Sequence, residues 1–263
     1  MEKKTSFSAK TIFIEQILTE ASLLFEGSKV VISKTKNENI RDIVTNVDIT
    51  INDFLVSKIK EHYPGEQIYS EEIENSEQVS NGFWTIDPID GTSNFVAGIP
   101  HFAICLGFVS SNQPVLGGAI NPITKQIFLF EKGVGAFLNG EKIINNSNFS
   151  MEKSIICFNS GREVENRDWV YLILGKVLHK VKSVKFMGSS ALDFCFVGAG
   201  IIDACIYPKL SSMDISFAIG LIRETGGVVV NEKFEELNLG FETQRVLAFK
   251  NQNSLEEFKK IIF

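Results

Sequence analysis

Trp84-Thr85-Ile86-Asp87-Pro88-Ile89-Asp90-Gly91-Thr92-Ser93-Asn94-Phe95 places two carboxylates three residues apart at the end of an apolar run. Pro88 and Gly91 set a bend there, and a hydroxyl and a helix start follow at once. Asp87 ends the strand in this reading and Asp90 stands past the Pro88 turn, so both carboxylates, with the Ile89 carbonyl between them, are able to face one side. A helix beginning at Thr92-Ser93-Asn94-Phe95 would offer its first free N–H groups as an anion site. The arrangement suits divalent metal and phosphate. Taken alone, Asp87 and Asp90 also read as turn and cap residues, because Asp is common in both.

Other acids are arranged around this stretch, each with a bland alternative. Glu71 and Glu72 follow a short strand ending at Ser70, and adjacent glutamates by themselves describe a solvated face. Asp42 and Asp48 flank Ile43-Val44-Thr45-Asn46-Val47, with Asp48 near a helix start; Asp214 follows Leu210-Ser211-Ser212-Met213 at another. A favourable helix-dipole position is the alternative for both. If these groups converge, magnitude decides: two carboxylates about 4 Å apart repel by roughly 4 kcal/mol at an effective dielectric near 20. Four or five together require protonation or cations. Hard oxygen donors without histidine or thiolate select Mg²⁺ or Mn²⁺ over Zn²⁺.

The bulk numbers exclude several classes. The 263 residues allow a sizeable core, and 44% hydrophobic with 22% charged residues is ordinary globular composition. A net charge of −6 disfavours bulk attraction to nucleic acid or acidic membrane, though bound cations would still admit a small anionic substrate. Cys105, Cys157, Cys195 and Cys205 are widely spaced in apolar surroundings and read as buried thiols in a reducing compartment. There is no run of about 18 apolar residues. Met1-Glu2-Lys3-Lys4-Thr5 is not followed by a signal-like core, so the expected location is cytoplasmic and Asn145-Asn146-Ser147 reads as loop, not a glycosylation site.

Periodicity gives the organisation. Helices are expected from Ala9 to Phe25, with Gly27 as a stop, and from Val47 to His62, ended by Pro64-Gly65. Short strands follow at Gln67–Ser70 and Phe83–Asp87, with a polar loop from Glu74 to Gly82 between them. Ala103–Val109, Val115–Asn121 and Gln126–Glu131 read as hairpin strands, and Asn139-Gly140 as a tight turn. Gly133-Val134-Gly135 lacks a dinucleotide fingerprint's third glycine and reads as a strand connector. Beyond a boundary near Asn145–Ser150, strands and helices alternate, including a helix from Arg167 to His179 and one over Asp214–Thr225. The expectation is α/β: an α+β part over residues 1–147 carrying most of the candidate ligands, and an α/β part over 148–263 carrying Asp214, in one compact unit.

These residues resemble the inositol monophosphatase family of metal-dependent, lithium-sensitive phosphatases. The twelve residues from Trp84 to Phe95 are close to its long acidic signature, and Asp42-Ile43-Val44-Thr45-Asn46-Val47-Asp48, Ser70-Glu71-Glu72 and Gly133 to Gly140 match at suitable spacing. Met213-Asp214 with Glu224-Thr225-Gly226-Gly227 is similar to its second signature. The resemblance covers nearly the whole chain. It implies a layered αβαβα sugar-phosphatase fold and two or three Mg²⁺ ions, with Mn²⁺ as a substitute. Glu71, Asp87, the Ile89 carbonyl, Asp90 and Asp214 would hold the metals, Asp87 bridging two. Glu71, Asp48 and Thr92 form the implied catalytic set, with Asp48 and Thr92 ordering the attacking water. The Gly91 and Thr92 N–H groups would hold phosphate, and Asp42 and Glu72 would lend support from behind. A homodimer acting on a small phosphorylated substrate is implied as well.

The chain departs from the family around the substrate. Met213 replaces a tryptophan, and Ser216 and Phe217 stand where small residues are expected. Tyr207 falls where the animal enzymes place a glutamate on the inositol ring. Gly188-Ser189-Ser190-Ala191 matches a Gly-Ser/Thr-Ala turn near the substrate with Ser190 as an extra hydroxyl, and Lys209 is placed to meet a second phosphate. Asp90, Asp214, Ser189, Ser190, Tyr207 and Lys209 are thus the candidate substrate contacts beside Gly91 and Thr92. His62, His101 and His179 stand beside no serine or cysteine nucleophile and read as core or surface residues, so direct attack by water is expected. The leading expectation is a Mg²⁺-dependent phosphomonoesterase with inositol monophosphate first among substrates. NADP(H) 2′-phosphate, fructose 1,6-bisphosphate and 3′-phosphoadenosine 5′-phosphate are the rivals, and a non-catalytic regulatory member is the contrast.

Overall fold

The computed structural model describes residues 7–25, 32–35, 43–72, 82–145 and 148–262. Helix α1 (Ala9–Leu23) starts where the Ser8 side chain accepts from the Thr11 N–H, and it buries Ile14, Ile17, Leu18 and Ala21 along one stripe. It ends before Gly27, which lies outside the described residues, as do Asp42, Glu74 and most of the polar loop that follows Glu74. A short ribbon, β1 (Ile32–Thr35) against β2 (Ile43–Thr45), leads into α2 (Asn46–His62). There Thr45 and Asp48 form a reciprocal capping box, and Val47, Ile51, Leu55 and Ile59 are buried.

Seven strands then pair almost in chain order: β3 (Gln67–Ser70), β4 (Gly82–Asp90), β5 (Ala103–Ser110), β6 (Gln113–Ile120), β7 (Ile127–Glu131), β8 (Gly135–Leu138) and β9 (Glu141–Lys142). Between β4 and β5 lies the short helix α3 (Thr92–Ala97). Only β3 and β4 run parallel. The turn expected over Ser111–Pro114 is tighter than that: Ser111 and Asn112 alone make it, both at positive φ, and Pro114 already lies in β6 at a bulge. The connector expected at Gly133 to Gly135 joins β7 to β8, and its last glycine is already the first residue of β8.

The second half carries β10 (Ile155–Phe158), α4 (Val164–Val177), β11 (Ser183–Lys185), α5 (Ser190–Gly198), β12 (Ala204–Ser211), α6 (Ser216–Glu224), β13 (Val228–Val230), β14 (Thr243–Phe249) and α7 (Gln252–Ile262). Its sheet has the order β11-β10-β12-β14-β13, parallel around β10 and antiparallel around β14. The layers are α1 and α2, the seven-stranded sheet, α5 and α6, the five-stranded sheet, and α4 with α7. One apolar cluster runs through the middle layer, from Ala103 and Phe130 of the first sheet through Phe194 and Phe217 to Cys205 and Ala248 of the second. All four cysteines are buried free thiols. No described helix is long and apolar enough to cross a membrane.

Two differences from the sequence expectation have physical causes. Strand β4 does not stop at Asp87 but continues through Pro88 to Asp90. A bulge between Asp87, paired with Cys105, and Asp90, paired with Ala103, takes up the extra residue. Pairing with β3 ends at Ile86, so the missing Pro88 N–H falls where no ladder bond to β3 is needed. Helix α6 begins at Ser216 and not at Asp214, which leaves Asp214 in the turn after β12. The bulky Phe217 is accommodated from below: a Cβ on Gly117 would lie 2.6 Å from the Phe217 Cβ, and one on Gly107 3.4 Å away. The glycine floor of β5 and β6 supplies the space that small helix residues would otherwise provide.

Candidate active site

The acidic stretch, the start of α5 and the carboxyl ends of β10 and β12 meet around a cavity of about 410 Å³. From β10 the chain crosses by α4 to β11 on one side, then returns by α5 to β12 on the other. The cavity therefore opens at a topological switch point, where parallel sheets characteristically bind ligands. Glu71, Asp87, Ile89, Asp90 and Asp214 line it together with Gly91 and Thr92. Ser190, Tyr207 and Lys209 line it from the second half.

Each acid is held in its own way. Asp87 is buried, and its Oδ1 accepts from the Ile89 N–H at 3.1 Å, closing a local turn that sets its rotamer. Asp90 is held across the two halves by the first turn of α5. Ser190 Oγ donates to its Oδ1 at 2.5 Å, while Ser189 Oγ and the Ala191 N–H, the latter at 2.9 Å, donate to Oδ2. Burial pushes the Asp90 carboxyl above the ordinary aspartate range, the two serines and the Ala191 N–H oppose that push, and nearby Asp193 adds to it. Gly91 has φ +90°, and a Cβ there would lie 3.2 Å from the Ser189 Cβ, so the chain turns here only with glycine. Asn94 then clasps the site, its Nδ2 donating to the carbonyls of His101 and Met187, each at 2.7 Å.

Thr92 Oγ1 donates to the Ile89 carbonyl at 3.0 Å. Helix α3 is six residues long, and its first intrahelical bonds run from the Asn94 and Phe95 N–H groups to the Gly91 carbonyl. The Thr92 and Ser93 N–H groups thus precede the helix's own bonding. Asp48 is not among the lining residues; it is buried, and its Oδ2 accepts the Thr45 N–H at 2.8 Å and the Thr45 hydroxyl. Burial raises its carboxyl to about 6, against the Thr45 bonds, with Glu72 pushing the same way. Ser189 is fully buried, spent on Asp90 and on capping the Leu192 N–H, and does not line the cavity. Tyr207 donates its hydroxyl to Asp193 at 2.6 Å, and Lys209 pairs with Glu163 at 2.7 Å. Asp42 lies outside the described residues.

Several lining residues went unread in the sequence, among them Asn159, Arg162, Glu163 and Thr243. Their signal is topological: Asn159 to Glu163 follow the carboxyl end of a strand with parallel neighbours on both sides. The cavity wall holds five carboxylates, Glu71, Asp87, Asp90, Glu163 and Asp214, against the cations Arg162 and Lys209. Among the described residues no three His, Cys, Asp or Glu side chains close on one point as a finished metal cage. The donors on the acidic wall are all oxygen and carry excess negative charge, which fits a hard divalent cation and not zinc.

A profile of the inositol monophosphatase family matches residues 3–261. A fructose-1,6-bisphosphatase/inositol-1-monophosphatase of Thermotoga maritima is 32% identical over 203 residues, covering 77% of each chain. Inositol monophosphatase 1 of Bos taurus is 30% identical over 256 residues, covering 92% of this chain and 91% of the relative. Among solved structures, an IMPase of Thermotoga maritima superposes with a TM-score of 0.85 at 27% identity, covering 97% of both chains.

Proposed function

Because the chain belongs to the inositol monophosphatase family, whose members hydrolyse phosphomonoesters, we propose that it is a Mg²⁺-dependent phosphatase of small polyol or sugar phosphates, inositol monophosphate first among them. The observation that carries this reading is the convergence of Glu71, Asp87, Ile89, Asp90 and Asp214 on one cavity with the Gly91–Thr92 turn. Those five residues would hold two or three Mg²⁺ ions, with Mn²⁺ able to replace them. When bound, the metal would lower the pKa of a coordinated water and neutralise charge on the phosphoryl and leaving oxygens.

The chain's own groups supply the rest. Thr92 Oγ1, fixed to the Ile89 carbonyl, is the group we assign to orienting a water beside the acids; Asp48, bound to Thr45 behind the cavity lining, is its proposed partner in that role. The Gly91 and Thr92 N–H groups, with that of Ser93 beside them, would offer donors to phosphoryl oxygens. The rigid hold on Asp87 and Asp90 keeps the acidic wall in place before substrate arrives. Ser190 supports Asp90 first and substrate second, since its hydroxyl is given to the carboxylate. The same proposal includes a cytoplasmic homodimer.

A second substrate reading rests on Arg162 and Lys209, which put cationic groups on the wall facing the acids. They favour a substrate whose leaving group carries another anionic group, such as fructose 1,6-bisphosphate or an NADP(H) 2′-phosphate. Phosphate release from inositol 1-phosphate, fructose 1,6-bisphosphate, NADP and 3′-phosphoadenosine 5′-phosphate, with Mg²⁺, with EDTA and with lithium, tests both readings. Hydrolysis of one or more that needs Mg²⁺ and falls with lithium is expected. Normal metal binding without hydrolysis of any of them would overturn the enzymatic reading.

A further inference from the structure

Asp193, in the first turn of α5, is fully buried and has no part in the chemistry assigned above. Three distant side chains converge on it. The Tyr207 hydroxyl donates to Oδ2 at 2.6 Å and the Cys157 thiol donates to the same oxygen at 3.1 Å. His101 Nε2 lies 2.8 Å from Oδ1. His101 belongs to the segment between α3 and β5, Cys157 to β10 and Tyr207 to β12. One carboxylate thereby ties elements of both halves to the start of a helix in the layer between the two sheets.

That same turn holds Asp90. Ser189, Ser190 and the Ala191 N–H bind its carboxylate, and the Asp193 N–H donates back to the Ser189 carbonyl at 3.0 Å. A buried carboxylate whose acceptors are used on both oxygens rigidifies its surroundings, and a half-satisfied one loosens them. Any rotation of this turn would carry the Asp90 carboxylate with it. We propose that Asp193 is a positioning residue for the hydrolysis, aiming Asp90 by pinning the first turn of α5 to both sheets. The proposal rests on the reading of Asp90 as a metal ligand.

The test compares two variants of the whole chain. Asp193→Asn keeps the shape but cannot accept from all three donors; Tyr207→Phe keeps the ring and the Asp193 charge and removes one tether. Mn²⁺ binding without substrate is followed by the electron paramagnetic resonance of the free ion, beside circular dichroism and thermal melts. The Mn²⁺ Kd is expected to rise about tenfold in Asp193→Asn and about threefold in Tyr207→Phe, both folded at 25 °C. With no substrate present, the Tyr207 effect cannot come from a lost substrate contact. Variants that melt earlier yet bind Mn²⁺ as tightly as the wild type would make Asp193 a structural residue only and overturn the proposal. A loss confined to Asp193→Asn would assign the effect to its charge and overturn it too. If Asp193→Asn does not fold, Tyr207→Phe decides alone. A wild-type chain that binds no Mn²⁺ overturns the metal reading, and this proposal with it.

Discussion

Asp48 offers the sharpest test, because its cost to stability and its proposed part in catalysis separate. Its carboxyl is buried and raised to about 6, whereas an aspartate in the unfolded chain titrates near 4. Between these values the folded state binds more protons than the unfolded one, so stability falls as pH rises through that window. The contribution is fully present below about pH 4 and lost above about pH 6. The gap of about two pH units corresponds to about 3 kcal/mol at neutral pH. Asp48→Asn removes the charge and keeps an oxygen for the Thr45 N–H and hydroxyl, at a loss of about 1 kcal/mol for weaker, uncharged bonds. The variant should therefore be about 2 kcal/mol more stable than the wild type at pH 8, and that advantage should be gone by pH 4, where the wild type has regained about 2–3 kcal/mol. Urea denaturation in EDTA at pH 4, 6 and 8 measures this without metal linkage. Phosphate release at pH 8 should meanwhile fall about 100-fold or more if Asp48 helps Thr92 to order the attacking water. A variant less stable at pH 8 would show that the capping box outweighs the buried charge. One that is stabilised but still active would remove Asp48 from the mechanism.

Three further outcomes are expected. Asp90→Asn should lose about 100-fold or more in turnover while its melting temperature stays within a few degrees, since Ser189, Ser190 and Ala191 still meet the side chain; near-normal turnover would remove Asp90 from the ligands. Gly117→Ala should destabilise by about 2–3 kcal/mol, read by thermal melting, because its Cβ would lie 2.6 Å from the Phe217 Cβ and 2.8 Å from the Leu106 carbonyl, neither able to move aside. Lys209→Ala should change stability by less than about 0.5 kcal/mol, as its bond to Glu163 is exposed, yet raise KM for fructose 1,6-bisphosphate about tenfold. An unchanged KM for that substrate would count against the second anion reading.

The apolar periods of α1 and α2 and the hairpin strands β5 to β7 were legible in the sequence, because each is written in neighbouring residues. The acidic stretch was legible as a family signature, but its geometry was not: Pro88 suggested a strand end, and only pairing with β5 shows that a bulge carries the strand on to Asp90. The helix start assigned to Asp214 moved two residues on, to Ser216. Phe217 read as a misfit because its compensation sits a hundred residues earlier, in Gly117 and Gly107. The Asp193 network was invisible for the same reason. His101, Cys157 and Tyr207 lie 92, 36 and 14 residues from it, and no local pattern links them. Ser189 and Ser190 were read as substrate contacts from their turn motif; the structure places their hydroxyls on Asp90.

Strand β4 is bonded to β3 on one side and β5 on the other, and all but its first residue are buried. Backbone in such a place opens only when most of the molecule does. The facing wall is made differently: Glu163 and Lys209 are half exposed, at a loop end and a strand end. Under mild denaturant or heat, the wall of Glu163 and Lys209 should thus fray before the strand that carries Asp87 and Asp90.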